Sequence, residues 1–350
     1  MEKQLYNEFK KHIVQTGLIK PGEKVLLTVS GGIDSVALFH LFLETGTDFA
    51  VAHCNFQLRG EEANGDQKFV ENLAAAHHII CYTQKFNTKE YASDNKISIQ
   101  MAARDLRYTW FEEIATENAF QKIATAHNLN DVVETFFLNL TRGTGLKGLS
   151  GIKQLKGKLV RPLLFASRNE ITEYVKAKNI SYREDSSNAE TKYMRNAIRH
   201  NIVPAFEKLN PSFIRSVLHS SRIIAEAEKV FDKHVGHLKS QLLCTNEGFT
   251  YIDVEKLKEL NISAELLFEL ISPYGFSFGN AENIIESLDS QSGISFFSEK
   301  YQVLKDRGRF IFKEISKVSQ QEFFIQETTE ELHQPINLKI KRFGVCPNFV

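Results

Sequence analysis

The hexapeptide Ser30-Gly31-Gly32-Ile33-Asp34-Ser35 lies between Lys24–Val29 (KVLLTV), an apolar β-branched run, and Val36–Leu43, where a helical pattern begins. A strand that turns through two glycines into a helix is the opening move of an α/β crossover. The chain keeps that rhythm to Leu140. Asp48–Ala52, Ile79–Tyr82 and Lys122–Ala126 read as strands, and Glu61–His77, Ile99–Asn118 and Asn130–Leu140 as helices. An amphipathic helix over residues 2–17, with Leu5, Phe9, Ile13 and Val14 on one face, precedes them. The expected fold class is α/β, a doubly wound, mostly parallel sheet with helices on both faces, followed by a mainly helical second domain. Asn210-Pro211 marks the change. Ser212–Leu243 reads as one long helix, Ala264–Ile271 and Asn280–Leu288 as shorter ones, and Gly293–Phe297, Tyr301–Leu304 and Phe310–Phe312 as closing strands. Domains are therefore expected at 1–209 and 210–318, with 319–350 as a linker or the opening fragment of a C-terminal domain.

The loop has a chemistry of its own. Glycines let backbone N–H groups close on a phosphate, and the following helix adds its positive end. Ser30 and Ser35 contribute hydroxyl donors, and Ile33 completes the turn. Asp34 repels phosphate, so it fits a role in organising Mg²⁺ beside it. The pattern lacks the lysine of a GxxxxGK[ST] loop. It resembles the SGGxDS loop of the PP-loop ATP pyrophosphatases, Rossmann-like enzymes that adenylate a substrate oxygen and release pyrophosphate. The resemblance implies ATP and Mg²⁺ as cofactors, and names a superfamily without choosing a member.

Further stretches choose among its members. His53-Cys54-Asn55-Phe56-Gln57-Leu58-Arg59 is similar to the HxNHxLR segment of lysidine synthetases, with Phe56 in place of the second histidine; it puts His53 and Asn55 among the expected nucleotide contacts. Ala102-Ala103-Arg104-Asp105-Leu106-Arg107-Tyr108 is similar to AARxxRY, and Arg104 and Arg107, three apart, share a helix face suited to gripping phosphate. Ala126-His127-Asn128-Leu129-Asn130-Asp131-Val132-Val133-Glu134-Thr135 resembles AHHxxDDxxET. His127, Asp131 and Glu134 fall on one helical face, as candidates to hold a metal or a substrate ammonium. Asn128 and Asn130 depart from that pattern, keeping hydrogen bonding but losing base and charge. Leu140–Leu149 resembles LxRGxGxxGL. Arg161–Leu164, Ser167–Ile171, Glu184–Asn188 and Tyr193–Arg199 match RPLL, SRxEI, EDxSN and YxRNxIR in the same order.

Lysine plus arginine total 43 and aspartate plus glutamate total 43, which excludes a polycation but not a local phosphate-binding patch. Seven basic and no acidic residues lie between Thr135 and Asn169, and six basic residues face one acid between Thr191 and Ala225. That basic middle is a footprint for nucleic acid. Arg142, Lys147, Arg195 and Arg199 are the candidate tRNA contacts. The four cysteines form no CxxC pair, so a zinc or redox motif is not supported. The N-terminus lacks the apolar core of a secretory signal, and a cytoplasmic location is expected.

The resemblance implies ligation of L-lysine to the wobble cytidine of an isoleucine tRNA: ATP activates the base, the amine of lysine attacks, and AMP and pyrophosphate leave. In that scheme residues 1–209 hold the catalytic ATP site and 210–318 contact tRNA. Two alternatives stay open on the sequence. One is another PP-loop adenylating enzyme of tRNA; the other is an ATP- or RNA-binding module with impaired catalysis, which Asn128 and Asn130 keep in view. Assembly is open too, a homodimer being one option.

Overall fold

A computed structural model describes residues 2–183, 192–246 and 248–315, with the short strands 331–332 and 338–339. The Glu184–Asn188 match and nearly all of 319–350 lie outside the described residues. The chain divides into two compact units, Met1–Phe231 and Asp232–Val350.

In chain order the first unit begins α1 (Glu2–Thr16), β1 (Val25–Thr28), α2 (Ile33–Thr45), β2 (Phe49–Asn55), α3 (Glu61–Ala76) and β3 (Cys81–Lys85). It continues α4 (Thr88–Asp94), α5 (Ile99–Glu117), β4 (Lys122–Ala124), α6 (Leu129–Thr141), α7 (Leu146–Leu149), β5 (Leu155–Lys156), β6 (Leu159–Val160) and α8 (Arg168–Ala177). Then come α9 (Lys192–Ala197), a π-helical turn (Ile198–Ile202) and α10 (Val203–Leu209). The helix α11 (Phe213–Leu242) contains the boundary between the units.

The six strands are ordered β3-β2-β1-β4-β6-β5. All neighbours run parallel except the β5–β6 pair. The alternation of strand side chains explains why both faces are covered. Val25, Leu27 and Val51 join the α1, α2 and α8 side of the core, with Phe9, Phe39, Phe42 and Tyr174. Leu26, Ala50 and Ala52 point the other way, onto Phe111, Ile114 and Ala115 of α5. Sequence order reverses between β1 and β4, and a crevice opens there at the strands' carboxyl ends. The turns after β1 and after β4 carry Ser30–Gly32 and Thr125–Asn128 to that crevice.

The second unit holds β7 (Leu243–Asn246), β8 (Phe249–Asp253), α12 (Val254–Glu259), α13 (Ala264–Ile271), α14 (Phe278–Glu286), β9 (Ser295–Phe297), β10 (Tyr301–Asp306) and β11 (Arg309–Glu314). The strands form one antiparallel sheet, β7-β8-β11-β10-β9. β7 and β8 add to the three strands read from sequence; residues 243–253 alternate too weakly to stand out from the helix before them. Lys305 is buried, and its ammonium donates to the carbonyls of Ser287, Leu288 and Ser290 at 2.7, 3.0 and 2.6 Å. It thereby caps the exit of α14, where carbonyls lack helical partners. Among the described residues no helix is long and apolar enough to cross a membrane.

Candidate active site

The crevice is a cleft of about 760 Å³, of the size that small-molecule ligands occupy. Ser30, Gly32, Ile33, Asp34 and Ser35 line it. Gly31 completes the loop at φ +95°, a backbone conformation that favours glycine. Ser35 Oγ donates to the Gly32 carbonyl at 2.8 Å and receives the Ser30 N–H at 3.2 Å, closing the loop over the first turn of α2. Gly32 is the N-cap of α2 and has no side chain to satisfy the helix's first N–H groups. Those donors face the place where an anion would sit.

Asp34 pairs with Arg168, the first residue of α8. Its Oδ1 is buried without a well-formed hydrogen bond among the described residues. Burial pushes its carboxyl up to about 6; the Arg168 charge opposes the rise and the Asp131 carboxylate adds to it. His127 Nδ1 lies 2.9 Å from Thr125 Oγ1. Burial pushes His127 down to about 4, against the pull of Asp131, so it is a neutral imidazole near pH 7.

Asp131 lines the cleft and also caps α6. Its Oδ2 accepts the Asn128 N–H at 2.9 Å, and Asn128 Oδ1 accepts the Asp131 N–H at 3.2 Å. Asn130 Oδ1 accepts the Arg168 N–H at 2.9 Å. The two asparagines that depart from the motif therefore have structural duties: one starts α6, the other ties α6 to the start of α8.

Glu134 is only 2% exposed in its side chain and is not on the cleft wall. Its Oε1 accepts from Arg199 Nε at 2.6 Å, and its Oε2 lies 3.2 Å from Arg195 Nε. Arg195 and Arg199 do line the cleft. The expectation that Glu134 grips a substrate cation gives way to a carboxylate already occupied by two guanidinium groups. The π turn that contains Arg199 follows directly on the helix that carries Arg195, so one stretch of chain delivers both.

His53 and Asn55 are not on the cleft wall either. β2 runs on to Asn55, so His53 is inside the strand rather than at its end. Alternation turns Ala52 and Cys54 to the cleft, and His53 and Asn55 to the opposite face. His53 Nδ1 is 2.8 Å from the Val29 carbonyl, and Asn55 Nδ2 donates to Gln67 Oε1 at 3.0 Å. His53 ties β2 to the end of β1, and Asn55 ties β2 to α3. Arg107 lines the cleft and lies over the Phe56 ring at 5.0 Å; Arg104 lies over Tyr108 at 4.9 Å and does not line it. Arg142 and Lys147 are exposed beside the glycine-rich turn between α6 and α7, away from the cleft. The cleft thiol of Cys54 is pushed by burial up to about 12, which keeps it protonated and poorly nucleophilic.

Residues 1–206 match the family model described as PP-loop domain, and residues 245–315 the one described as TilS substrate binding domain. The tRNA(Ile)-lysidine synthase of Bacteroides thetaiotaomicron is 37% identical over 332 residues, which is 95% of this chain and 77% of that protein. The chain belongs to the tRNA(Ile)-lysidine synthase family. A second tRNA(Ile)-lysidine synthase, from Porphyromonas gingivalis, is 38% identical over 88% of this chain and 68% of its own length. In fold the chain is similar to the U34-tRNA thiolase NcsA from Methanococcus maripaludis, with TM-score 0.53 and 20% identity over 64% of this chain and 80% of that one.

For a lysidine synthase, the cleft adds residues that motif reading left without a role. Arg168 and Arg183 line it, as do Arg59 and Asp66. Arg168 sits in a quoted motif, and Arg59 closes another. Asp66 and Arg183 carry no local signal, because each is defined by a partner distant in sequence.

Proposed function

We propose that this chain converts the wobble cytidine of tRNA(Ile) to lysidine, using ATP and L-lysine. Membership of the lysidine synthase family, with the SGGIDS loop at the sheet's switch point, carries the reading. The cytidine 2-oxygen attacks the α-phosphorus of ATP and pyrophosphate leaves. The amine of lysine then attacks C2, loses a proton, and AMP leaves with the bonding pair. The loop N–H groups and Ser30 and Ser35 hold the phosphates, and Arg168 and Arg107 stand where they can offset charge on them. The residues fit Mg²⁺: Asp34 Oδ1 is a buried oxygen without a well-formed hydrogen bond among the described residues, and Asp131 stands near enough to raise the Asp34 carboxyl. Bound there, Mg²⁺ would neutralise phosphate charge. Asp131 is the carboxylate on the cleft wall suited to the lysine amine, while Glu134 acts through Arg195 and Arg199. Arg142 and Lys147 meet the tRNA backbone.

Mass analysis of tRNA(Ile) after incubation with ATP and lysine tests this directly. The expected result is one cytidine carrying the mass of a lysine residue, dependent on both small substrates. Pyrophosphate release with tRNA but no mass gain with lysine would point instead to another adenylating enzyme of tRNA.

A further inference from the structure

Asp66 stands on α3, away from every motif that the reaction scheme uses, yet it lines the cleft. Its side chain is 9% exposed, and both oxygens are engaged. Arg183 Nε donates to Oδ1 and Arg59 Nη2 to Oδ2, each at 2.8 Å. Arg183 is also tied to the phosphate loop: its N–H donates to the Gly31 carbonyl at 2.9 Å. Its Cγ lies 3.7 Å from the position a Gly31 Cβ would take. At Gly65 a Cβ would come within 3.1 Å of Arg183 Nη2, so the missing side chain makes room for the guanidinium.

From this geometry we infer that Asp66 is the positioning residue of a two-arginine clamp, Arg59 and Arg183, which holds the polyphosphate of ATP against the loop. Two guanidinium groups share one carboxylate, and the cluster lines the same cleft as Ser30 and Gly32. Guanidinium forks match phosphate oxygens, and fixing one through Nε leaves its other N–H donors to reach a ligand. Because Arg183 is bonded to Gly31, the clamp and the loop are held in one register.

The inference rests on the cleft taking ATP, so the test reads ATP affinity directly. Equilibrium binding of ATP with Mg²⁺, and the KM for ATP in pyrophosphate release, are measured for Asp66→Asn, Arg183→Ala and the double variant. Each single change is expected to weaken ATP by about tenfold, the worth of one charge-assisted hydrogen bond. Lysine KM and tRNA affinity should stay within about twofold. The double variant should lose less ATP affinity than the two single losses combined, because Asp66 acts on ATP in part through Arg183, and Asp66→Glu should recover part of the loss. Unchanged ATP affinity, additive losses, or a loss confined to tRNA affinity would each overturn the clamp; the last would assign the arginines to RNA phosphates. If Asp66→Asn does not fold by circular dichroism, Arg183→Lys serves, since it keeps charge but loses the fork, and a severalfold loss in ATP affinity is expected. A wild-type protein that binds ATP yet forms no lysidine would remove the functional reading and leave the clamp testable.

Discussion

Two walls of the cleft use the same device in different ways. On one, Asp66 holds Arg59 and Arg183; on the other, Glu134 holds Arg195 and Arg199. In each, a buried acid fixes two arginines that reach the cleft. The Asp66 arginines come from separate parts of the chain, and one of them is bonded to the Ser30–Ser35 loop. The Glu134 arginines come from one continuous stretch of chain, α9 and the π turn after it, while the N-terminal cap of α6 includes Asp131. Burying an acid here is a way to aim cations, and a carboxylate beside a substrate site need not meet substrate. Between the walls Asp34 differs from both, with one arginine and a raised pKa.

That difference predicts the largest effect. Asp34→Ala should reduce pyrophosphate release to background while tRNA affinity, measured by filter binding, stays within about twofold. Substantial turnover in this variant would erase the distinction between an acid that acts on substrate and acids that act through arginines.

The Glu134 wall predicts an asymmetry in stability. Removing both Arg195 and Arg199 leaves a buried carboxylate without compensation, which typically costs about 3–5 kcal/mol. Glu134→Gln leaves two half-exposed arginines that water can solvate, so its cost in urea denaturation should be clearly smaller. Equal costs would mean that the acid matters for more than holding the pair.

How much of this was legible in sequence follows from the range of each interaction. The Ser30–Ser35 loop, the helix Ile99–Glu117 and the strands around them are written in local pattern, and the structure places them as expected. Asn128 and Asp131 are three apart, the spacing of a capping box, so their partnership was also readable. His53 and Asn55 went astray because a strand three residues longer than its apolar run changed which side chains face the ligand edge. Asp66 with Arg183 was hidden, since the partners are 117 residues apart and only the folded sheet brings them together.

Asp131 lines the cleft itself, so its loss should divide the two chemical steps. Asp131→Ala is expected to raise the KM for lysine by about tenfold and to change pyrophosphate release less; the cap it removes is worth about 1 kcal/mol of stability. Equal damage to both steps would move Asp131 to the side of the positioning acids.

Acidity should separate Asp34 from its neighbours more gently. Its folded pKa of about 6 lies above the ordinary aspartate value of 3.8, so its contribution to stability is present below about 3.8 and is lost as pH rises through about 6. Asp34→Asn should therefore gain on the wild type in melting temperature above pH 6. Over the same range, wild-type affinity for ATP with Mg²⁺ should fall severalfold as pH drops below about 6 and the carboxyl takes up its proton. A flat profile would mean that the Arg168 pair, rather than burial, governs the group.

The smallest effect belongs outside both walls. Arg142 and Lys147 are exposed and stand beside the glycine-rich turn, free of the buried acids that fix the cleft arginines. A cation that meets RNA phosphate releases counterions, so its worth appears in salt dependence more than in catalysis. Arg142→Ala or Lys147→Ala should weaken tRNA binding about two- to fivefold at low salt and lower the slope of log affinity against log salt by about 0.7–0.9 each. Turnover at saturating tRNA should hold. By contrast, Arg199→Ala at saturating tRNA should still lose turnover, because Glu134 has placed that guanidinium in the cleft. If the exposed and the anchored arginines show the same salt slope and the same turnover, aiming by a buried acid has no functional consequence on that wall.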